Sequence, residues 1–162
     1  MKHSLFVAIS LAMLLGAPLS RADANDARCR RVFTKGSFQI LPPEACTASP
    51  FGLCSEATLY SSPLRGTYSY SVDEMSVGAG LTSLPASTLA VTGEFVLETR
   101  AGTVIGTKTA MFDLAAGEQI TLYNLRSGPY TGTLFASGFF DPATAFGSRR
   151  QNIMWGNICR AE

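Results

Sequence analysis

The sequence predicts an all-β protein, a single small antiparallel β-barrel of about eight strands, clipped by disulfides. Three observations carry that expectation. Period-two alternation recurs along the chain, and no long segment has helical periodicity. Turns rich in Gly, Pro, Ser and Thr follow one another at short intervals. Four cysteines, Cys29, Cys46, Cys54 and Cys159, stand in a chain that opens like an exported protein.

The opening segment reads as a secretory signal peptide over residues 1–22. Lys2 supplies the basic start, "LFVAISLAMLL" from Leu5 the apolar stretch, and Ala22 and Ala24 the small residues of a cleavage site. Cleavage is expected after Ala22 or Ala24. The apolar run, about eleven residues, is too short to span a bilayer, which takes roughly 20. No cysteine follows the small residues, so a lipid anchor is not expected. The protein is expected to be exported, to the periplasm or beyond the cell, with residues 23–162 forming one barrel domain.

Cleavage narrows the chemistry. The single histidine, His3, leaves with the peptide. Triads that need an imidazole are then excluded, as are zinc sites that use histidine. Losing Lys2 and Arg21 leaves a nearly neutral chain, which does not favour nucleic acid or anionic lipid as a partner.

The strands are expected at 30–41, 58–61, 65–77, 87–100, 103–113, 118–126, 131–140 and 151–159. Leu89, Val91, Phe95 and Leu97 alternate with Thr88, Thr92, Glu94 and Glu98. Ile120, Leu122 and Asn124 alternate with Thr121, Tyr123 and Leu125. Phe135 shares a side with Thr133 and Ser137, and Trp155 with Ile153. "RAGT" at Arg100, "LAAGEQ" at Leu114, "RSGPY" at Arg126 and "DPATAFG" at Asp141 make the turns. Such a meander removes its unpaired edges by closing on itself.

An even cysteine count in an exported chain reads as disulfides. A zinc site built from all four lacks the paired short spacings that zinc knuckles need, so no metal is expected. Closure of an up-and-down barrel brings the first strand's start beside the last strand's end. That favours Cys29–Cys159 with Cys46–Cys54. The rival pairing, Cys29–Cys46 with Cys54–Cys159, requires the second strand to close the barrel.

Beside these readings stands a resemblance. "SPFGLCSEATLYSSPLRGTYSY", "GTLFASGFFDPATAFG" and the closing "GNIC" are similar to exported bacterial proteins with an allene oxide cyclase barrel-like fold. The matching residues include Ser49, Pro50, Gly52, Cys54, Gly66, Thr67 and Tyr68 early, and Gly132, Thr133, Leu134, Asp141, Pro142, Gly156, Ile158 and Cys159 late. The resemblance implies a small closed barrel related in architecture to plant cyclases and dirigent proteins. No motif matches the plant enzymes' catalytic residues, so none is carried over, and fold kinship alone assigns no activity.

Tyr68, Tyr70, Phe95, Phe112, Phe135 and Trp155 either fill the barrel's core, the preferred reading, or line a ligand cavity, and they are the candidate ligand-binding residues. Glu94 and Glu98, four apart on one strand, read as a solvated outer face opposite the apolar set. Arg149 and Arg150 read as solvated surface. Lys108 is the exception on an apolar side, which it shares with Val104, Ala110 and Phe112. No cofactor is expected. The expectation is a noncatalytic barrel that binds a small apolar ligand or a partner. The alternative is a cyclase or isomerase that holds a reactive apolar substrate in a productive shape. An inward carboxylate or arginine would favour the alternative.

Overall fold

The structure, a computed structural model, describes residues 28–78, 86–139 and 149–161. The expected signal peptide and the Asp141 turn lie outside the described residues. Nine strands form one antiparallel sheet: β1 (Cys29–Ile40), β2 (Cys54–Leu59), β3 (Gly66–Ser71), β4 (Glu74–Val77), β5 (Thr88–Thr99), β6 (Gly102–Asp113), β7 (Glu118–Ser127), β8 (Tyr130–Phe139) and β9 (Arg149–Arg160). Pro43–Ala45 forms a short 3-10 turn, and no α-helix occurs among the described residues.

The order β3-β2-β1-β9-β8-β7-β6-β5-β4 closes because β3 also pairs with β5. Eight strands make the barrel, and β4 is an extra piece that continues alongside β5 from Thr92 to Leu89. β1 runs against β9 over most of its length, from Cys29↔Cys159 to Gln39↔Arg149. That register places the two cysteines side by side, and Cys29–Cys159 is bonded. Cys46–Cys54 is the second disulfide, so the pairing that follows from closure is the one present.

Two strands depart from their expected bounds. β2 begins at Cys54 and ends at Leu59, not 58–61. Its ladder with β1 starts as soon as the Gly52 turn ends, and the turn holding Pro63 stops it. The expected strand 65–77 is divided into β3 and β4 at Val72 and Asp73. There the Asp73 amide donates to the Thr92 carbonyl at 2.9 Å, and the Asp73 carboxylate accepts the Glu94 amide at 3.1 Å. The carboxylate thus takes a ladder hydrogen bond, and the strand bends without orphaning a donor.

Bending a sheet into so small a barrel forces backbone against backbone. A Cβ at Gly93 would run into the Ser71 carbonyl, and one at Gly156 into the Thr133 carbonyl. Glycine at these corners lets neighbouring strands coil over each other.

The interior holds Leu59, Leu64, Val104, Leu134 and Ile158, all essentially inaccessible. Leu64 lies in the β2–β3 turn and packs into this core. At the other end, the β1–β2 loop is tied down by its disulfide and by buried Ser49. The Ser49 hydroxyl donates to the Val72 carbonyl at 2.6 Å and accepts the Phe51 amide.

The two disulfides close loops of very different length, with sequence separations of 130 and 8. Replacing Cys29 and Cys159 together by serine is expected to cost about 5 kcal/mol, and replacing Cys46 and Cys54 about 2.5. Urea unfolding of the two double variants checks the order. Equal losses would mean that closing the long loop contributes nothing of its own.

Candidate functional site

β3, β5, β6 and β7 are consecutive around the barrel, and their inward residues meet at one place. β3 sends in Tyr68 and Tyr70, β5 Phe95, β6 Lys108 and β7 Tyr123. Each alternates with residues on the outer face. On β6, Val104, Gly106 and Ala110 are buried on the same side as Lys108, while Ile105 and Thr109 are exposed. The direct partners of Lys108 are Gly93 and Tyr123. Gly93 presents no side chain there, because the Ser71 backbone crosses against it.

Tyr68 is the hub of the aromatic cluster. Its ring lies 5.6 Å from Phe95, 5.7 Å from Phe38 and 6.1 Å from Tyr123, centre to centre. Most of these contacts are edge-to-face, the arrangement that ring quadrupoles favour. A Cβ at Gly106 would fall 2.7 Å from the Phe95 ring, so glycine is what lets that ring lie across β6.

The Lys108 ammonium sits over these faces. Its Nζ is 4.2 Å from the centre of the Tyr70 ring, 5.8 Å from Tyr123 and 6.0 Å from Tyr68. Among the described residues no carboxylate pairs with it. Burial, with no opposing charge, lowers its pKa from 10.5 to about 8. The side chain is nevertheless only half-buried, so solvent reaches it.

The tyrosines move the other way. Burial holds the Tyr68, Tyr70 and Tyr123 phenols well above their ordinary value, and neighbouring phenols or the Asp73 carboxylate add to it. They remain neutral hydroxyls throughout the range in which Lys108 titrates. The Tyr68 and Tyr70 hydroxyls and the Ser55 hydroxyl are buried without a hydrogen-bond partner. Ser55 and Tyr123 approach the Tyr68 hydroxyl without reaching hydrogen-bond geometry. An unpaired buried hydroxyl costs about 1–3 kcal/mol, so three of them set this part of the interior apart from the rest of the core.

The structure divides the six aromatics proposed from sequence. Tyr68, Tyr70 and Phe95 are together inside, and Phe112 packs half-buried against the core on the same face. Phe135 and Trp155 stand on the outside, in register with each other and with exposed Leu122 and Phe33. Alternation says which residues share a face but not which face is inside. On β8 and β9 the small residues Gly132, Ala136, Gly138 and Gly156 turn inward, which leaves the interior for the tyrosines.

Tyr123 is the member that sequence reasoning missed. Its face carries Thr121 and Leu125, less apolar at sight than the Ile120–Leu122 face. Arg150 also departs from expectation. It lies opposite Phe38, hence on the interior face, and is half-buried rather than solvated. Glu94 and Glu98 are exposed on the outer face, as the alternation implies.

A concavity of about 330 Å³ lies elsewhere, on the outer face of β1, β2, β3 and β5. Ser37, Gln39, Glu56, Thr58, Thr67 and Glu98 line it. It is shallow, and its polar groups face solvent. The interior cluster, with a cation and unpaired hydroxyls held in place, is the stronger candidate.

No family model, no curated protein and no solved structure matches the chain. The site therefore stands on its own geometry.

Lys108→Met is expected to stabilise the fold at pH 7 by about 1–3 kcal/mol, allowing for solvent that reaches the amine. The gain should shrink as pH rises from about 8 to 10. In that window the unfolded chain still protonates the lysine that the folded state holds neutral, so stability of the unmodified protein climbs with pH. Unfolding curves across that range check both statements. A pH-independent difference would remove the amine's burial as the cause.

Proposed function

We propose that this chain is an exported, noncatalytic barrel that binds a small apolar ligand carrying one anionic or carbonyl group. The observation that carries the reading is Lys108, a cation without a carboxylate partner, held over tyrosine rings beside unpaired hydroxyls. A ligand's polar end would satisfy these groups, and its apolar part would lie against Phe95, Phe112 and Leu89. Small sites of this kind combine an apolar wall with a few fixed polar groups.

Export is supported by the two disulfides, with no free cysteine among the described residues. No helix of the described residues is long and apolar enough to cross a membrane. The kinship with allene oxide cyclase barrel-like exported proteins is part of the same proposal, and closure into an eight-strand barrel is what favours it.

Thermal-shift screening of the whole mature protein with fatty acids, isoprenoids and phenolics tests the reading. A carboxylate ligand at a hundred times its dissociation constant should add about 2.7 kcal/mol of stability. The effect should persist with chelator present and weaken above pH 8, where the ammonium loses its proton. It should also fall at least tenfold in affinity in Lys108→Met. Stabilisation by divalent metal alone would contradict the reading.

A second reading, a cyclase or isomerase, is favoured by Arg150 on the interior face. Turnover of an epoxide or polyene, abolished in Arg150→Met or Lys108→Met, would establish it in place of the first.

A further inference from the structure

Lys108 combines three features seldom found together on a surface lysine. It projects into the barrel between Gly93 and Tyr123. Its Nζ is held over phenol rings and not by a carboxylate. Hydroxyls without partners, those of Tyr68, Tyr70 and Ser55, lie in the same buried cluster. A fixed, unpaired amine in an apolar wall is the arrangement of a nitrogen nucleophile toward carbonyl carbon. The hydroxyls supply donors for the oxygen that must leave.

We propose that Lys108 is a covalent capture site for small apolar aldehydes, which it binds as an imine. The inference rests on the interior as a ligand site and adds the bond. The amine lone pair attacks the carbonyl carbon, and the C=O π pair moves to oxygen, which takes up a proton. That proton comes from the nitrogen; the carbinolamine's C–O bond then breaks, oxygen leaves as water with the one remaining N–H proton, and the nitrogen lone pair closes the C=N bond. One C=N bond forms, one water is released, and no electron carrier is needed.

The groups facing Nζ explain why the amine is available. Tyr68 and Tyr70 come from β3 and Tyr123 from β7, and all three stay protonated where the amine titrates. Asp73 stands beside Tyr70 at the β3–β4 bend. β5 contributes Gly93, and the neighbours of Lys108 on its own inner face are Gly106 and Ala110. Arg150 is on the same interior face, from β9. The neutral fraction of the amine rises through about pH 8, so capture should accelerate across that value.

The chain contains an internal control. Lys35 is the one other lysine after the signal segment, and it is exposed on the outer face of β1. The test is to incubate the mature protein with hexanal, reduce with cyanoborohydride and map the adducts by peptide mass spectrometry. Lys108 is expected to carry the hexyl group at least tenfold over Lys35, with the α-amino terminus resolved as its own peptide. Labelling of Lys108 should rise several-fold from pH 6.5 to 8.5. Lys108→Arg and Lys108→Met should each lose that adduct, and both serve in case one does not fold.

Hexanol and hexanoate, which cannot form an imine, separate the two claims by thermal shift. Stabilisation by these compounds without any Lys108 adduct from hexanal overturns the capture and leaves the ligand site standing. Equal labelling of Lys35 and Lys108 overturns the capture as well. Neither stabilisation nor adduct overturns both.

Discussion

Everything in this structure follows from one pairing, β3 against β5. Without it the chain is an open sheet with two bare edges, which would invite other chains to pair. With it the sheet has an inside, and each strand's alternation becomes a choice between lumen and solvent. The extra strand β4 shows how closely the join is managed. The chain pairs with β5 as β3, bends at Val72 and Asp73, and resumes along β5 as β4. The Asp73 carboxylate takes the Glu94 amide at that bend. The disulfide Cys29–Cys159 lies on the β1–β9 ladder and fastens the first strand to the last.

Closure also sets the interior composition. A barrel of eight strands is just wide enough to be filled by side chains. Here the β8 and β9 wall mixes glycines and Ala136 with aliphatic Leu134, Met154 and Ile158, and the β3, β5, β6 and β7 wall carries the rings. The lysine is inserted into the wall of rings. A cation in that place is stabilised by ring faces, worth roughly 0.5–2 kcal/mol each. That is less than the burial costs, since its pKa falls to about 8. A residue kept at a net cost in stability, beside hydroxyls also left unsatisfied, is what a site for a ligand's polar group would look like before the ligand arrives.

Much of this was legible in the residues. Alternation and turn chemistry located the strands, and strand count placed Cys29 beside Cys159. Lys108 stood out because its face was otherwise apolar. What was not legible has physical causes. The start of β2 at Cys54 depends on a ladder with β1 that only the folded register reveals. Which face of β8 and β9 is inside depends on the volume already taken by Tyr68, Phe95 and Tyr123, residues distant in sequence. Phe135 and Trp155 were therefore grouped with rings from which the barrel wall separates them. Arg150 looked like surface because its partner across the ladder, Phe38, lies more than a hundred positions away.

The central claim is that Lys108 is a lone amine held in an apolar, tyrosine-lined interior. Its most direct test is carbon NMR of selectively labelled lysine, following the Cε resonance of Lys108 through a pH titration with Lys35 in the same spectrum. The account predicts a midpoint near 8 for Lys108. A midpoint at the ordinary lysine value of 10.5 would contradict it, because the amine would then be in water and not in the barrel.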